Sequence, residues 1–315
     1  MKKYTDILLM FLMTAAFAMP TFADWIDSPT TEWTAITYGG LYPDYYSDQQ
    51  TGPEDSDIVG TNGVPAFYTK FDDAGTPDLT DGTLAFRIRI SGKSKDYWEN
   101  VMFIGMDANL DGALDIFAGL YKNNTVNLYY PGSGLNISPN TTTIESAFYS
   151  TAVTSSNYSF MAVDAVNAPG LPTDLDGIPS KDPTDYFVSF SIDFNQLVTG
   201  LAATSIYITE ETPISFLAAT ATQQNSLNQD LNGAPKIDQS NSDYSWEQLG
   251  ASATPTSPTG EVVPEPAMIS LILTGGLTLL YLRRGSRRLD PSQYLENAEA
   301  LGQQSSLGLY KVVRR

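Results

Sequence analysis

Nine residues in the middle of the chain, Asp107-Ala108-Asn109-Leu110-Asp111-Gly112-Ala113-Leu114-Asp115, carry side-chain oxygens at alternate positions. That spacing suits a hard divalent cation: calcium takes about six to eight oxygen ligands, and a short loop that presents them at every second residue can wrap the ion. Asp107, Asn109 and Asp111 would turn their oxygens inward, Gly112 would permit a tight bend, and Ala113 would offer its carbonyl. Asp115 would close the ring, directly or through water. Ca2+ is therefore the expected cofactor. The competing explanation is a plain acidic turn, because Asp, Asn and Gly favour turns whether or not a metal binds. Two further acidic groups follow the same logic more weakly: Asp174 and Asp176 with Asp182 and Asp185, and Asp72 and Asp73 with Asp78 and Asp81. Each reads more simply as a solvated loop.

The nine residues resemble the calcium loops of dockerins and EF-hands. They depart from the EF-hand at the twelfth position, which is Ala118 rather than Glu, so a bidentate ligand has to come from elsewhere. The flanks, 101–106 and 116–121, are apolar and strand-like rather than helical, which predicts a calcium loop inside a β-hairpin.

Strand patterns dominate the rest of the chain around this loop. Residues 83–90 alternate, with Leu84, Phe86, Ile88 and Ile90 on one face and Arg87 and Arg89 on the other. Residues 185–194 alternate likewise, with Tyr186, Val188, Phe190, Ile192 and Phe194 toward a core. Further strands are predicted at 66–71, 125–130, 158–163 and 214–220, and one short helix near 195–199. Turn clusters such as Asp81-Gly82, Asn123-Asn124 and Pro131-Gly132-Ser133-Gly134 separate them. Many short strands with polar, Gly-rich turns predict an all-β fold, a single β-sandwich or jelly-roll-like domain over 24–250. Residues 251–262, rich in Pro, Thr and Ser, read as an extended flexible linker.

Composition removes much of the catalytic repertoire. The 315 residues include no Cys and no His. That excludes disulfides, Ser-His-Asp and Cys-His catalysis, and thiolate or imidazole metal sites. Between Asp24 and Glu265, 8 Lys and Arg stand against 32 Asp and Glu, a balance of −24. Such a surface repels nucleic acid and attracts divalent cations. Glycoside hydrolysis needs only two facing carboxylates, but with so many acids no pair stands out. Aromatic residues could stack on sugar rings: Tyr38, Tyr42, Tyr45 and Tyr46 in a Gly/Pro-rich segment, and Tyr97 with Trp98. Packing is the simpler explanation, because Tyr also fills sheet faces and anchors loops.

The two ends read as addresses. Met1-Lys2-Lys3, an apolar run over 7–17 and Thr21-Phe22-Ala23 have the three-part plan of a secretory signal peptide, cut by signal peptidase after Ala23 or, alternatively, after Ala18. A second apolar stretch, 267–282, is followed by Arg283, Arg284, Arg287 and Arg288, which predicts a span with its arginines cytoplasmic. At about 24 Å it is short of a hydrocarbon core of roughly 30 Å. Immediately before it stands Val263-Pro264-Glu265-Pro266, kept extended by its two prolines.

Pro-Glu-Pro, a short apolar span and an arginine cluster, in that order, resemble the PEP-CTERM sorting signal. The resemblance implies that 263–288 is recognised and processed by exosortase, a membrane enzyme of bacteria that make extracellular polysaccharide. Signals of this kind usually end soon after the arginines, whereas here a polar tail continues over 289–315. The arrangement from Asp57-Ile58-Val59-Gly60, through Pro65-Ala66-Phe67-Tyr68 and Asp81-Gly82-Thr83-Leu84, to Arg87-Ile88-Arg89, and the later stretch 218–230, are similar to exosortase-dependent bacterial surface proteins. The expectation is an exported, non-enzymatic protein, anchored in the inner membrane before sorting and placed on the cell surface or in the extracellular matrix after it. The alternatives are a carbohydrate-binding module for the host exopolysaccharide and a glycoside-active enzyme.

Overall fold

The computed structural model describes residues 23–38, 44, 46–75, 81–175 and 183–261. All of these lie in one compact unit, Met1–Val263. The expected signal peptide up to residue 22, the Pro-Glu-Pro motif, the apolar stretch and the tail fall outside the described residues.

Two antiparallel sheets face each other. The first has five strands in the order β1-β2-β3-β9-β8: β1 is Thr34–Ala35, β2 Phe67–Asp72, β3 Thr83–Ile90, β9 Tyr186–Asp193 and β8 Tyr158–Ala162. The second has six in the order β11-β10-β4-β5-β6-β7: β11 is Asp230–Leu231, β10 Ser215–Ala221, β4 Val101–Asp107, β5 Ile116–Tyr121, β6 Thr125–Pro131 and β7 Ile144–Ala152. The all-β sandwich read from the alternation is the architecture observed. Inward-facing residues of the two sheets form one core, including Leu84, Phe86, Ile88, Val188 and Phe190 from the first and Met102, Ile104, Ala118, Leu120 and Phe216 from the second. Phe216 meets Phe67 and Phe86 edge-on, with ring centroids 6.1 Å apart in both pairs, so an aromatic cluster joins the sheets at mid-depth.

Unlike a simple sandwich, each sheet is also covered on its outer face. Leu231, Ala234, Ile237, Trp246 and Leu249 pack over Val101, Phe103, Phe117 and Leu217 of the second sheet. Ile26, Trp33, Val163 and Ala168 pack over Tyr68, Ala85 and Phe187 of the first. Arg87 and Arg89, on the outer face by their alternation, are therefore fully buried. Arg87 donates to the carbonyl oxygens of Ile26 (2.6 Å) and Ser28 (2.8 Å) and to Ser189 Oγ (2.9 Å), and its guanidinium lies 4.1 Å from the centroid of Trp33. Burial lowers its pKa to about 10, still charged at neutrality. Arg89 binds Asp185 through Nε (2.7 Å) and Nη2 (2.6 Å), and both side chains are fully buried.

Three elements differ from the sequence expectation. The short helix runs over Phe194–Ala203 (α2), capped by Asp193, whose carboxylate accepts from Asn195 N at 2.9 Å. Phe194 thus belongs to the helix, though it still fills the core. Two further short helices occur, Ala23–Ile26 (α1) and Trp246–Leu249 (α3). Residues 251–261, expected as a free linker, lie instead against the domain. Ala251, Ala253, Thr256 and Ser257 are buried, Ala253 N donates to Phe216 O (2.9 Å), Thr254 N to Thr37 O (2.7 Å), and Thr256 pairs with Ile214. Small residues let this Pro/Thr/Ser stretch add backbone hydrogen bonds beside β10 without a clash.

Candidate functional site

β4 and β5 pair from Val101↔Tyr121 to Met106↔Ile116, so 107–115 is the connecting loop of a hairpin, as the flanks predicted. Leu114 anchors it: its side chain is buried and its N–H donates to Asn136 O at 3.0 Å. The acidic side chains fold inward on the loop's own backbone. Asp107 accepts from Asp111 N (3.1 Å) on one oxygen and from Gly112 N (2.9 Å) on the other. Asn109 Oδ1 accepts from Asp111 N (2.9 Å), Asp111 Oδ1 from Ala113 N (3.0 Å), and Asp115 Oδ2 from Ala108 N (2.8 Å). The bend uses left-handed backbone at Leu110 (φ 59°) and Gly112 (φ 89°). Glycine takes that conformation freely, whereas at leucine it costs about 1–3 kcal/mol, so the loop is held in a shape that leucine does not itself favour. Burial raises the pKa of Asp107, and that of Asp115 to about 6, against the opposing pull of the amides that donate to them.

Asp107, Asn109, Asp111 and Asp115 are thus gathered on one turn, with Ala113 in the same bend. The oxygens of the three carboxylates do not all approach within 4.8 Å of one another. Among the described residues, that distance is met by a different group, Asp44, Asp48 and Asp230. Asp44 and Asp48 stand in the loop before β2, and Asp230 opens β11. All three are buried, as is Asp57 beside them. Backbone amides aim them: Asp44 Oδ1 accepts from Gly233 N (2.8 Å), Asp230 Oδ2 from Ile58 N (2.6 Å) and Oδ1 from Leu231 N (2.8 Å), and Asp57 Oδ2 from Ser47 N (2.9 Å). Burial, then mutual repulsion, raises the pKa of Asp48 to about 7 and those of Asp44 and Asp230 well above the ordinary carboxylate range. Two of the stretches that carried the surface-protein resemblance, 57–60 and 218–230, meet here through the Ile58–Asp230 bond.

The sequence could not have gathered this group. Asp44 and Asp48 sit in an irregular Gly/Pro/Tyr-rich segment, and only the packing of β11 brings Asp230 to them.

The other sequence candidates disperse. Asp185 is the partner of Arg89; burial lifts its pKa to about 6 although Arg89 pulls it down. Asp176 and Asp182 lie outside the described residues. Asp72 and Asp73 accept from Ala74 N (3.0 Å) and Gly75 N (2.8 Å) in an exposed turn, and Asp78 is outside the described residues. Trp98 is buried in the core while Tyr97 is exposed, so the pair forms no shared platform. Tyr46 is exposed, Tyr38 is half-buried beside Asp44, and Tyr42 and Tyr45 lie outside the described residues. Val263, Pro264, Glu265, Pro266, Arg283 and Arg284 lie outside them too. Among the described residues, no helix is long and apolar enough to cross a membrane.

Comparison with protein-family models, with curated proteins and with solved structures finds no match to this chain.

Proposed function

We propose that this chain is an exported, exosortase-sorted protein of the cell surface or extracellular matrix, non-enzymatic, whose β-sandwich is stabilised by calcium at the Asp107–Asp115 loop. The sorting half rests on the order of Pro264-Glu265-Pro266, the apolar stretch and the arginines behind an N-terminal secretory pattern. The calcium half rests on one observation: a hairpin loop with a leucine at φ 59° that draws Asp107, Asn109, Asp111 and Asp115 onto a single turn. Three carboxylates so close repel one another, and a divalent ion reverses that sign. What supports the non-enzymatic reading is the absence of His and Cys from the sequence, which removes Ser-His-Asp and Cys-His catalysis. Trp98, buried in the core, has a packing role.

The sorting claim is tested by mass spectrometry of the surface-associated protein from a host with exosortase. No peptide from Leu271 onward should be found. Intact 283–315 on most mature copies would leave a simple membrane anchor instead.

A further inference from the structure

We propose that Asp44, Asp48 and Asp230 form a second, fully internal calcium site, separate from the 107–115 loop, which fastens the segment before β2 to the edge strand β11. Two oxygens bound to one calcium at 2.3–2.6 Å lie no more than about 5 Å apart. The three carboxylates meet that limit, each offering an oxygen within 4.8 Å of the others. Asp48 is only 9% exposed, and neither of its oxygens accepts a hydrogen bond from a donor group. Asp44 Oδ2 is equally without a donor. These free oxygens face one another, and something positive has to lie between them.

Among the described residues the ion pairs engage Lys70, Arg89, Lys93 and Lys95, each with an acid outside this group; Lys236, whose charge acts on Asp48, is exposed and forms no ion pair with it. Gly39-Gly40-Leu41-Tyr42-Pro43 and Tyr45, outside the described residues, include neither Lys nor Arg. Protons are the competing occupants, since an O–H on Asp48 has the Asp230 carboxylate as acceptor, while the amides of Gly233, Ile58, Leu231 and Ser47 donate to Asp44, Asp230 and Asp57. Donors stabilise the charged form of an acid. Four N–H groups thus favour the charged forms of Asp44, Asp230 and Asp57 while none reaches Asp48, and a divalent ion between the carboxylates relieves their mutual repulsion. Oxygen-only ligands select a hard cation, and their carboxylate character and uneven placement suit calcium better than the strict octahedron of magnesium. A cleft lined by Ile36, Tyr38, Asp44, Pro65 and Asn232 supplies the way in to Asp44.

The ion would do mechanical work. Ile58 bridges to Ile90 at the end of β3 in the first sheet, and Asp230 pairs through β11 with β10 of the second. One calcium on Asp44, Asp48 and Asp230 closes the long loop between them.

The test is calcium titration calorimetry of the full chain in mild detergent after EDTA treatment, paired with thermal melting. Wild type, Asp111→Ala, Asp48→Asn and Asp44→Asn are compared. Asp111→Ala should keep the internal equivalent of calcium, whereas Asp48→Asn and Asp44→Asn should weaken it by about tenfold or more. In EDTA, Asp48→Asn should melt above wild type, because one repelling charge is gone, and in calcium it should melt below. That crossover shows a folded variant that has lost an ion. Calcium binding by Asp48→Asn and Asp44→Asn equal to wild type would overturn the site. So would wild type that binds calcium only through the loop, losing all of it in Asp111→Ala. Failure of the loop reading has its own signature, an Asp111→Ala chain that binds as wild type does.

Discussion

The chain concentrates acid in two places and treats it in opposite ways. In the hairpin loop, neighbours in sequence collect the charge, the loop's own amides satisfy it, and solvent reaches most of it. At Asp44, Asp48 and Asp230, distant segments collect the charge inside the protein, and several oxygens are left with no donor. The first arrangement tolerates loss of a cation, because each carboxylate keeps its hydrogen bonds and is screened. The second does not, since repulsion between buried charges falls off little and no water relieves it. Local acid can be optional metal chemistry, whereas internal acid fixes the terms on which the domain folds.

A third buried acid calibrates the comparison. Asp185 lies as deep as the internal group but has Arg89 beside it. Arg89→Met would strand that carboxylate, and a loss of about 3–5 kcal/mol is expected, roughly a 10 °C fall in melting temperature for a domain this size. A loss under about 1 kcal/mol would mean that buried carboxylates here shed their charge cheaply, which removes the need for an ion at Asp48.

The next largest effect is on pH. Asp48 titrates near about 7 and Asp115 and Asp185 near about 6 in the folded protein, against the 3.8 of an ordinary Asp. Between those limits the native state holds more protons than the unfolded chain, so stability falls as pH rises through the window. In EDTA the melting temperature should therefore climb, by about 5 °C or more, as pH is lowered from about 8 to about 5. Saturating calcium should flatten that slope by taking the place of the protons. A melting temperature that rises with pH in EDTA would break the contrast between the two regions.

The smallest effect belongs to the loop. With the EDTA arm unchanged, Asp111→Ala should cost about 1 kcal/mol in millimolar calcium, about 2–4 °C, as expected for an ion held at about 10⁻⁴ to 10⁻³ M. Identical melting of Asp111→Ala and wild type in calcium would reduce the loop to an acidic turn.

How far the sequence could be read follows the same division between local and distant. β3 was legible residue for residue because period-two alternation is a local property, and 101–106 and 116–121 likewise marked the hairpin. β7 was missed because it is an edge strand with most of its residues exposed, so it has no apolar alternation to show. The outer faces looked like solvent faces because Arg87 and Arg89 are charged. What buries them, Trp33 and the carbonyls of Ile26 and Ser28, comes from another part of the chain. The linker was misread for a related reason. Its composition is that of a flexible tether, and only the open side of β10 gives it a place to lie. In the candidate sites, spacing revealed the loop, and no spacing could reveal Asp230 beside Asp44.

The strand order also sets a timetable. β3 borders β9 and β4 borders β10, so Phe86 waits for Phe190 and Ile104 for Ala218. A chain emerging N-terminus first would have both strands in place with one edge open until its later strands arrived. Such distant pairings form slowly, and open strand edges invite other copies to add on. The excess negative charge then serves a purpose that the finished fold does not reveal. It keeps half-made chains apart while they wait for their missing neighbours.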